Sequence, residues 1–215
     1  MEVKEILSHV DHTELKAYAT WEQIKKLCEE SLKYGTASVC VPPSYIKRIH
    51  DEFNGKVNIC TVIGFPLGYQ VTSAKVEEAR AAIADGASEI DTVINIGDVK
   101  DKRYDEVEKE LLAIREATKG KILKVIIETC YLTEEEKIKM CEIVTRVKAD
   151  YIKTSTGFGT AGATIEDIKL FKDHIGPDVK MKAAGGIRTR EDMEAYLALG
   201  VDRLGCSAAM KLVEE

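Results

Sequence analysis

Short β-branched runs alternate with longer amphipathic stretches along almost the whole chain. Ala37–Val41, Val57–Ile63, Glu89–Asn95, Ile122–Glu128, Tyr151–Ser155, Val179–Ala184 and Arg203–Cys206 predict seven strands. An eighth, around Val10–Thr13, has a weaker pattern because it also continues the preceding helix. The stretches between carry helix start and stop signals. Thr20-Trp-Glu-Gln23 is a capping box before apolar Ile24, Leu27 and Cys28, with a stop at Gly35. Thr133-Glu-Glu-Glu136 and Thr164-Ile-Glu-Asp167 offer the same start, the latter before Ile168, Leu170 and Phe171. Val107, Leu111 and Ile114 mark another apolar face, and Lys75–Asp85 and Arg190–Leu199 end at Gly86 and Gly200.

Strands alternating with helices of this length require right-handed crossovers and a parallel sheet. Eight such units in 215 residues suit one α/β domain over residues 1–215, a (β/α)8 TIM barrel slightly short for its class. An open doubly wound sheet would lead with a G-x-G-x-x-G after its first strand, and none is present. No stretch rich in Pro, Gly and Ser offers a linker.

Composition narrows the partners. A net charge of -6 argues against nucleic acid, and MEVKEILSHVDHTELK puts charges into every turn, unlike a signal peptide. No apolar run approaches membrane-spanning length. The expectation is a cytoplasmic protein without a membrane partner. Six cysteines, Cys28, Cys40, Cys60, Cys130, Cys141 and Cys206, lack a C-x-x-C pair and read as reduced thiols. His9 and His12 could share a helix face, but nothing nearby completes a zinc set, and neither a metal nor a cofactor is expected.

Candidate chemistry lies at the strand ends. In a barrel, alternate strand residues point inward, and the C-terminal strand ends surround the active site. Asp91 after Ile90, Lys153 after Ile152 and Lys182 after Met181 can all face that interior, and Cys40 could join them. A lone strand lysine is most often a solvated edge residue. Two lysines and a carboxylate on three different strand ends form a less ordinary coincidence. Adjacent ammonium groups destabilise each other's charged form, so one lysine is expected to fall towards neutrality and act as a nucleophile. Its Schiff base would withdraw electrons from the neighbouring carbon, with Asp91 moving protons through water, as suits a metal-free aldolase. Thr156-Gly157, Ala184-Gly-Gly-Ile187 and Gly205-Cys-Ser207 each follow a late strand, near an expected helix start, and offer backbone N–H groups to a phosphate. Arg188 could add charge there.

These residues fall within a longer ordered set: Asp11-His-Thr13 with Thr20-Trp21, VCVPPSY (Val39 to Tyr45), CTVIGFPLG (Cys60 to Gly68), EIDTVINIG (Glu89 to Gly97) and KVIIET (Lys124 to Thr129). ADYIKTSTGFGTAGAT (Ala149 to Thr164), KAAGGIRT (Lys182 to Thr189) and RLGCSAAM (Arg203 to Met210) complete it. Over nearly its whole length the chain resembles the deoxyribose-phosphate aldolase family. The resemblance implies reversible, metal-independent cleavage of 2-deoxy-D-ribose 5-phosphate to D-glyceraldehyde 3-phosphate and acetaldehyde, in deoxyribose catabolism. It implies Lys153 as the Schiff-base lysine, Lys182 as the lysine that perturbs it and relays protons, and Asp91 as their carboxylate partner. Gly157, Gly185, Gly186 and Ser207, with Thr156, Cys40, Asp11 and Arg188, are the implied substrate and phosphate contacts. A phosphosugar is the implied ligand and a homodimer or homotetramer the implied assembly. Phe158 stands where some members carry a lysine, Ala208 where some carry a second serine, and the sequence ends at Glu215 without the tail tyrosine of some members. Another phosphosugar barrel enzyme, or a non-catalytic binding barrel, is the alternative.

Overall fold

The computed structural model describes residues 1–214. Helix α1 (Val3–Ser8) leads into β1 (Val10–Thr13), followed by α2 (Trp21–Tyr34), β2 (Ser38–Val41), α3 (Ile46–Glu52) and β3 (Ile59–Ile63). Then come α4 (Thr72–Ala84), β4 (Glu89–Val93), α5 (Ile96–Lys100), α6 (Tyr104–Ala117), β5 (Ile122–Ile126) and α7 (Glu134–Arg146). The last part holds β6 (Tyr151–Lys153), α8 (Ile165–His174), β7 (Lys180–Ala184), α9 (Arg190–Ala198), β8 (Arg203–Cys206) and α10 (Lys211–Glu214). All eight strands are parallel and close in chain order, β1 pairing with both β2 and β8. This is a (β/α)8 TIM barrel, and the weakly patterned β1 closes it.

Strand alternation divides the apolar residues in two. Val39, Ile59, Ile90, Leu123, Ile152 and Leu204 face outward into one cluster with helix residues such as Ile24, Leu111, Ile143 and Phe171. Each such fully buried side chain contributes roughly 2 kcal/mol of hydrophobic stabilisation. The lumen has only a small apolar patch, Cys40, Cys60 and Val62, with Leu15 and Phe65 packed on it. Many of its other inward positions are charged, and register sets them side by side: Asp91 opposite Lys124, Lys153 opposite Lys182, and Lys182 opposite Arg203.

The caps hold the helices at the expected places. Thr133 accepts from the Glu136 N–H at 3.3 Å while the Glu136 carboxylate accepts from the Thr133 N–H at 2.7 Å. Thr164 accepts from the Asp167 N–H at 3.0 Å. Other bounds differ from the sequence expectation. The α4 helix begins at Thr72, so Lys75 lies inside it. Helices α3 and α5, of 7 and 5 residues, are too short to show a helical period. Strand β6 stops at Lys153, leaving Thr154 and Ser155 to begin a long loop.

Candidate active site

The lumen is an ionic network contributed by six strands. Asp91 is fully buried, and its Oδ2 accepts from Lys153 Nζ at 2.8 Å and from Lys182 Nζ at 2.7 Å. Both ammonium groups therefore converge on one oxygen. The other oxygen, Oδ1, accepts from Lys124 Nζ at 2.9 Å and from the Cys60 thiol at 3.2 Å. Below this layer Asp11 accepts from Lys182, and from Ser38 Oγ and the Arg203 guanidinium at 2.6 Å each. Glu89 joins Lys124 at 2.6 Å and Arg203 at 2.8 Å. Four cations thus face three carboxylates.

Burial alone would neutralise these groups, and their opposite neighbours prevent it. Burial pushes the Asp91 carboxyl up, but Lys124, Lys153 and Lys182 outweigh it and hold the group well below the usual carboxylate range. Burial also raises Asp11, and Lys182, Lys124 and Arg203 bring it below its ordinary value. For Lys182 burial acts downward, and Asp11 and Asp91 reverse it, so its ammonium is held above the ordinary lysine value. Lys182, the lysine expected to perturb Lys153, is thus held as an ammonium by the two carboxylates it donates to. Burial pushes the Cys60 thiol up, which keeps it a donor.

Above the network lies a cavity of about 250 Å³, open at the C-terminal face of the barrel. Lys153, 3% exposed, forms part of its lining, whereas Lys182 and Asp91 are wholly buried and lie outside it. Thr156, Gly157, Gly185, Gly186, Arg188 and Ser207 surround the mouth with Phe158, with Thr13 at the end of β1 and with residues 14–16 after it. Among the described residues the N–H groups of Gly157, Gly186 and Ser207 find no acceptor. Gly157 and Gly186 have φ of 86° and 79°, a region open to glycine that turns these N–H groups out of the strand pattern. Two turns meet back to back: a Cβ on Gly162 would come within 2.2 Å of the Gly185 carbonyl oxygen.

Three of the expected substrate contacts have protein partners of their own in the structure. Asp11 sits mid-strand, fully buried beneath Lys182, and lines no cavity. Cys40, 1% exposed, packs against Cys60 and Val62 as wall rather than contact. Thr156 does line the cavity, but its N–H and hydroxyl both donate to Glu128. Gly157 also stands apart from any helix start, because α8 begins only at Ile165. Its N–H is presented by the turn, not by a helix terminus.

Lys124, Glu89, Arg203 and Glu128 were absent from the sequence expectation. Glu89 was legible in principle, being two residues before Asp91 and therefore on the same face, whereas Lys124 and Arg203 join the network through the register that sets them opposite Asp91 and Lys182. Two sets of donor atoms lie close enough to hold a metal, Cys40 with Cys60 and Asp91, and Asp11 with Cys60 and Glu89. Their carboxylates already accept from lysine and arginine, so an entering cation would have to displace those groups.

A lysine held at a cavity floor on a TIM barrel, sharing a carboxylate oxygen with a second lysine under a rim of free N–H groups, is an arrangement of the aldolase class. Comparison with known proteins specifies it further. The model of the family described as DeoC/LacD family aldolase matches residues 6–205, and the chain belongs to that family. It is 63% identical over 210 residues to the deoxyribose-phosphate aldolase of Clostridium botulinum strain Alaska E43, covering 98% of this chain and 95% of that one. Among solved structures it resembles a putative deoxyribose-phosphate aldolase from Coccidioides immitis, with TM-score 0.95 and 44% identity over 100% of this chain and 86% of that one. The tetrameric deoxyribose phosphate aldolase of Aeropyrum pernix matches with TM-score 0.91 and 30% identity over 99% of this chain and 91% of that one.

Proposed function

We propose that this protein is a single-domain class I aldolase, running from residue 1 to 215, that reversibly cleaves 2-deoxy-D-ribose 5-phosphate into D-glyceraldehyde 3-phosphate and acetaldehyde. The observation that carries the reading is the position of Lys153: it alone of the three buried lumen lysines reaches the cavity, while sharing Asp91 Oδ2 with Lys182. Lys153 meets a single carboxylate, Asp91, whereas Lys124 and Lys182 each meet two or more.

The neutral amine attacks the C1 carbonyl of the open-chain sugar, and loss of water gives a protonated imine. Deprotonation of the C3 hydroxyl then breaks the C2–C3 bond, its electron pair moving into the imine to form an enamine as glyceraldehyde 3-phosphate leaves. Protonation of the enamine carbon and hydrolysis release acetaldehyde and restore Lys153. Asp91 and the Lys182 ammonium, linked at 2.7 Å, supply the acid and base for these transfers through water. The N–H groups of Gly157, Gly186 and Ser207, with Gly185 and Arg188 beside them, hold the phosphate.

The Aeropyrum relative supports a homo-oligomer. No helix among the described residues is long and apolar enough to cross a membrane. Six free thiols fit a reducing, cytoplasmic compartment, and the deoxyribose-phosphate aldolase relatives support a place in deoxyribose catabolism.

The test is borohydride trapping. Incubation with acetaldehyde followed by borohydride is expected to give a reduced adduct on Lys153 by peptide mass spectrometry, absent in Lys153→Leu, which also loses turnover. An adduct on another lysine, or acetaldehyde release by Lys153→Leu, would overturn the assignment.

A further inference from the structure

Glu128, in the KVIIET segment just after β5, takes no part in the chemistry above. It is nonetheless placed at some expense. It is 2% exposed, and its φ of 52° lies in the left-handed region that a non-glycine residue seldom occupies. Among the described residues no cation lies within salt-bridge distance of its carboxylate. What the carboxylate does receive is neutral donors: the Thr156 N–H donates to Oε1 at 3.1 Å, the Thr156 hydroxyl donates to Oε2, and the Cys130 thiol donates to Oε1 at 4.0 Å. Thr156 Oγ1 in turn accepts from the Phe158 N–H at 3.0 Å. Two of the three N–H groups in the turn 156–158 are thereby occupied internally, and Gly157 between them keeps its own for a ligand. The following loop lies directly on the carboxylate, since a Cβ on Gly159 would come within 2.9 Å of Cys130 Sγ and 3.1 Å of Glu128 Cδ. A left-handed backbone and a buried carboxylate without a cation, beneath an anion-binding turn, are each unfavourable in themselves, which points to a role in shaping that turn.

We infer that Glu128 is the positioning residue of the phosphate turn: by accepting both donors of Thr156 it fixes the conformation in which the Gly157 N–H faces the substrate phosphate. It thereby sets the preference for a phosphorylated over an unphosphorylated sugar. The inference rests on the proposed aldolase function and deepens it.

The test compares 2-deoxyribose 5-phosphate with 2-deoxyribose as substrates for the wild type, Glu128→Ala and Glu128→Gln. Glu128→Ala is expected to raise KM for the phosphorylated sugar about tenfold at nearly constant kcat, the effect of losing one ordered phosphate contact. The kcat/KM for 2-deoxyribose, and borohydride trapping of acetaldehyde on Lys153, are expected to stay within about twofold, because Lys153 and Asp91 are untouched. Glu128→Gln keeps an acceptor for the Thr156 N–H, and its KM is expected to fall between the two; if Glu128→Ala does not fold, an increase confined to the phosphorylated sugar in Glu128→Gln still decides. Equal losses on both sugars, or no change in KM for the phosphorylated one, would overturn the inference and leave the aldolase assignment intact. A wild type that cleaves neither sugar and traps no acetaldehyde would overturn both.

Discussion

Asp91 holds together more of the site than any other single residue, because three ammonium groups and one thiol donate to its two oxygens. Replacing it with Asn keeps the shape and removes the charge. Lys124, Lys153 and Lys182 would then face each other with one carboxylate fewer, and breaking a buried ion pair in this way costs about 3–5 kcal/mol. Urea denaturation of Asp91→Asn is expected to report that loss. Turnover is expected to fall by about a hundredfold or more, the usual effect of removing a positioned acid–base group. A variant of wild-type stability and rate would show that Asp91 neither anchors nor serves the lysines.

Between elements, the helices α4 and α6 are joined by a second buried ion pair outside the barrel. Lys75, inside α4 and wholly buried, donates to Glu110 at 2.6 Å and to the Val93 carbonyl at 2.8 Å. Here burial wins: it pulls the Lys75 ammonium below its ordinary value and pushes the Glu110 carboxyl above its own, despite their mutual attraction. The pair therefore does not fully offset its desolvation. Glu110→Leu alone is expected to destabilise by about 3–5 kcal/mol by stranding Lys75, whereas Lys75→Met with Glu110→Leu is expected to be neutral or more stable than the wild type. Denaturant midpoints of the three proteins check this. A double variant weaker than Glu110→Leu would mean that the pair stabilises the helix contact. At this scale the sequence was informative where an element has its own signal, as with the caps at Thr133 and Thr164. It was silent where an element is defined by its neighbours. Lys75 reads from the sequence as a helix-start residue, and only the packing of α4 on α6 shows it as a buried donor.

For the whole molecule, the carboxylates and the lysines of the lumen have different pH responses. Asp11 and Asp91 titrate below the ordinary 3.8, so the stability they provide is complete above that value and is lost as pH falls through their folded values. Lys124 and Lys182 titrate above the ordinary 10.5, so theirs is present below that value and is lost as pH rises through their folded values. The stability difference between wild type and Asp11→Asn is expected to be constant over roughly pH 5 to 9 and to shrink only in acid. A difference that grows as pH falls would contradict the ionised state of Asp11. The barrel, the strand set and the Lys153, Lys182 and Asp91 positions were legible because alternation along a strand is a local property. The balance of charges around them was not, because it depends on which strands stand opposite one another. That is why Asp11 read as a substrate contact and why Lys124 and Arg203 went unnoticed.

The lumen also constrains how such a protein can diverge. Asp11, Glu89, Asp91, Lys124, Lys182 and Arg203 each answer to at least two oppositely charged partners, so any one replacement leaves another residue stranded. A lineage could leave this arrangement only by paired changes, or by passing through poorly folded intermediates. The rim is not bound in this way, since Gly157, Gly186 and Ser207 present main-chain N–H groups there, which tolerate many neighbouring side chains. Descendants of this chain are thus free to explore new substrates from the mouth of the barrel downward, long before they can alter the reaction at its floor.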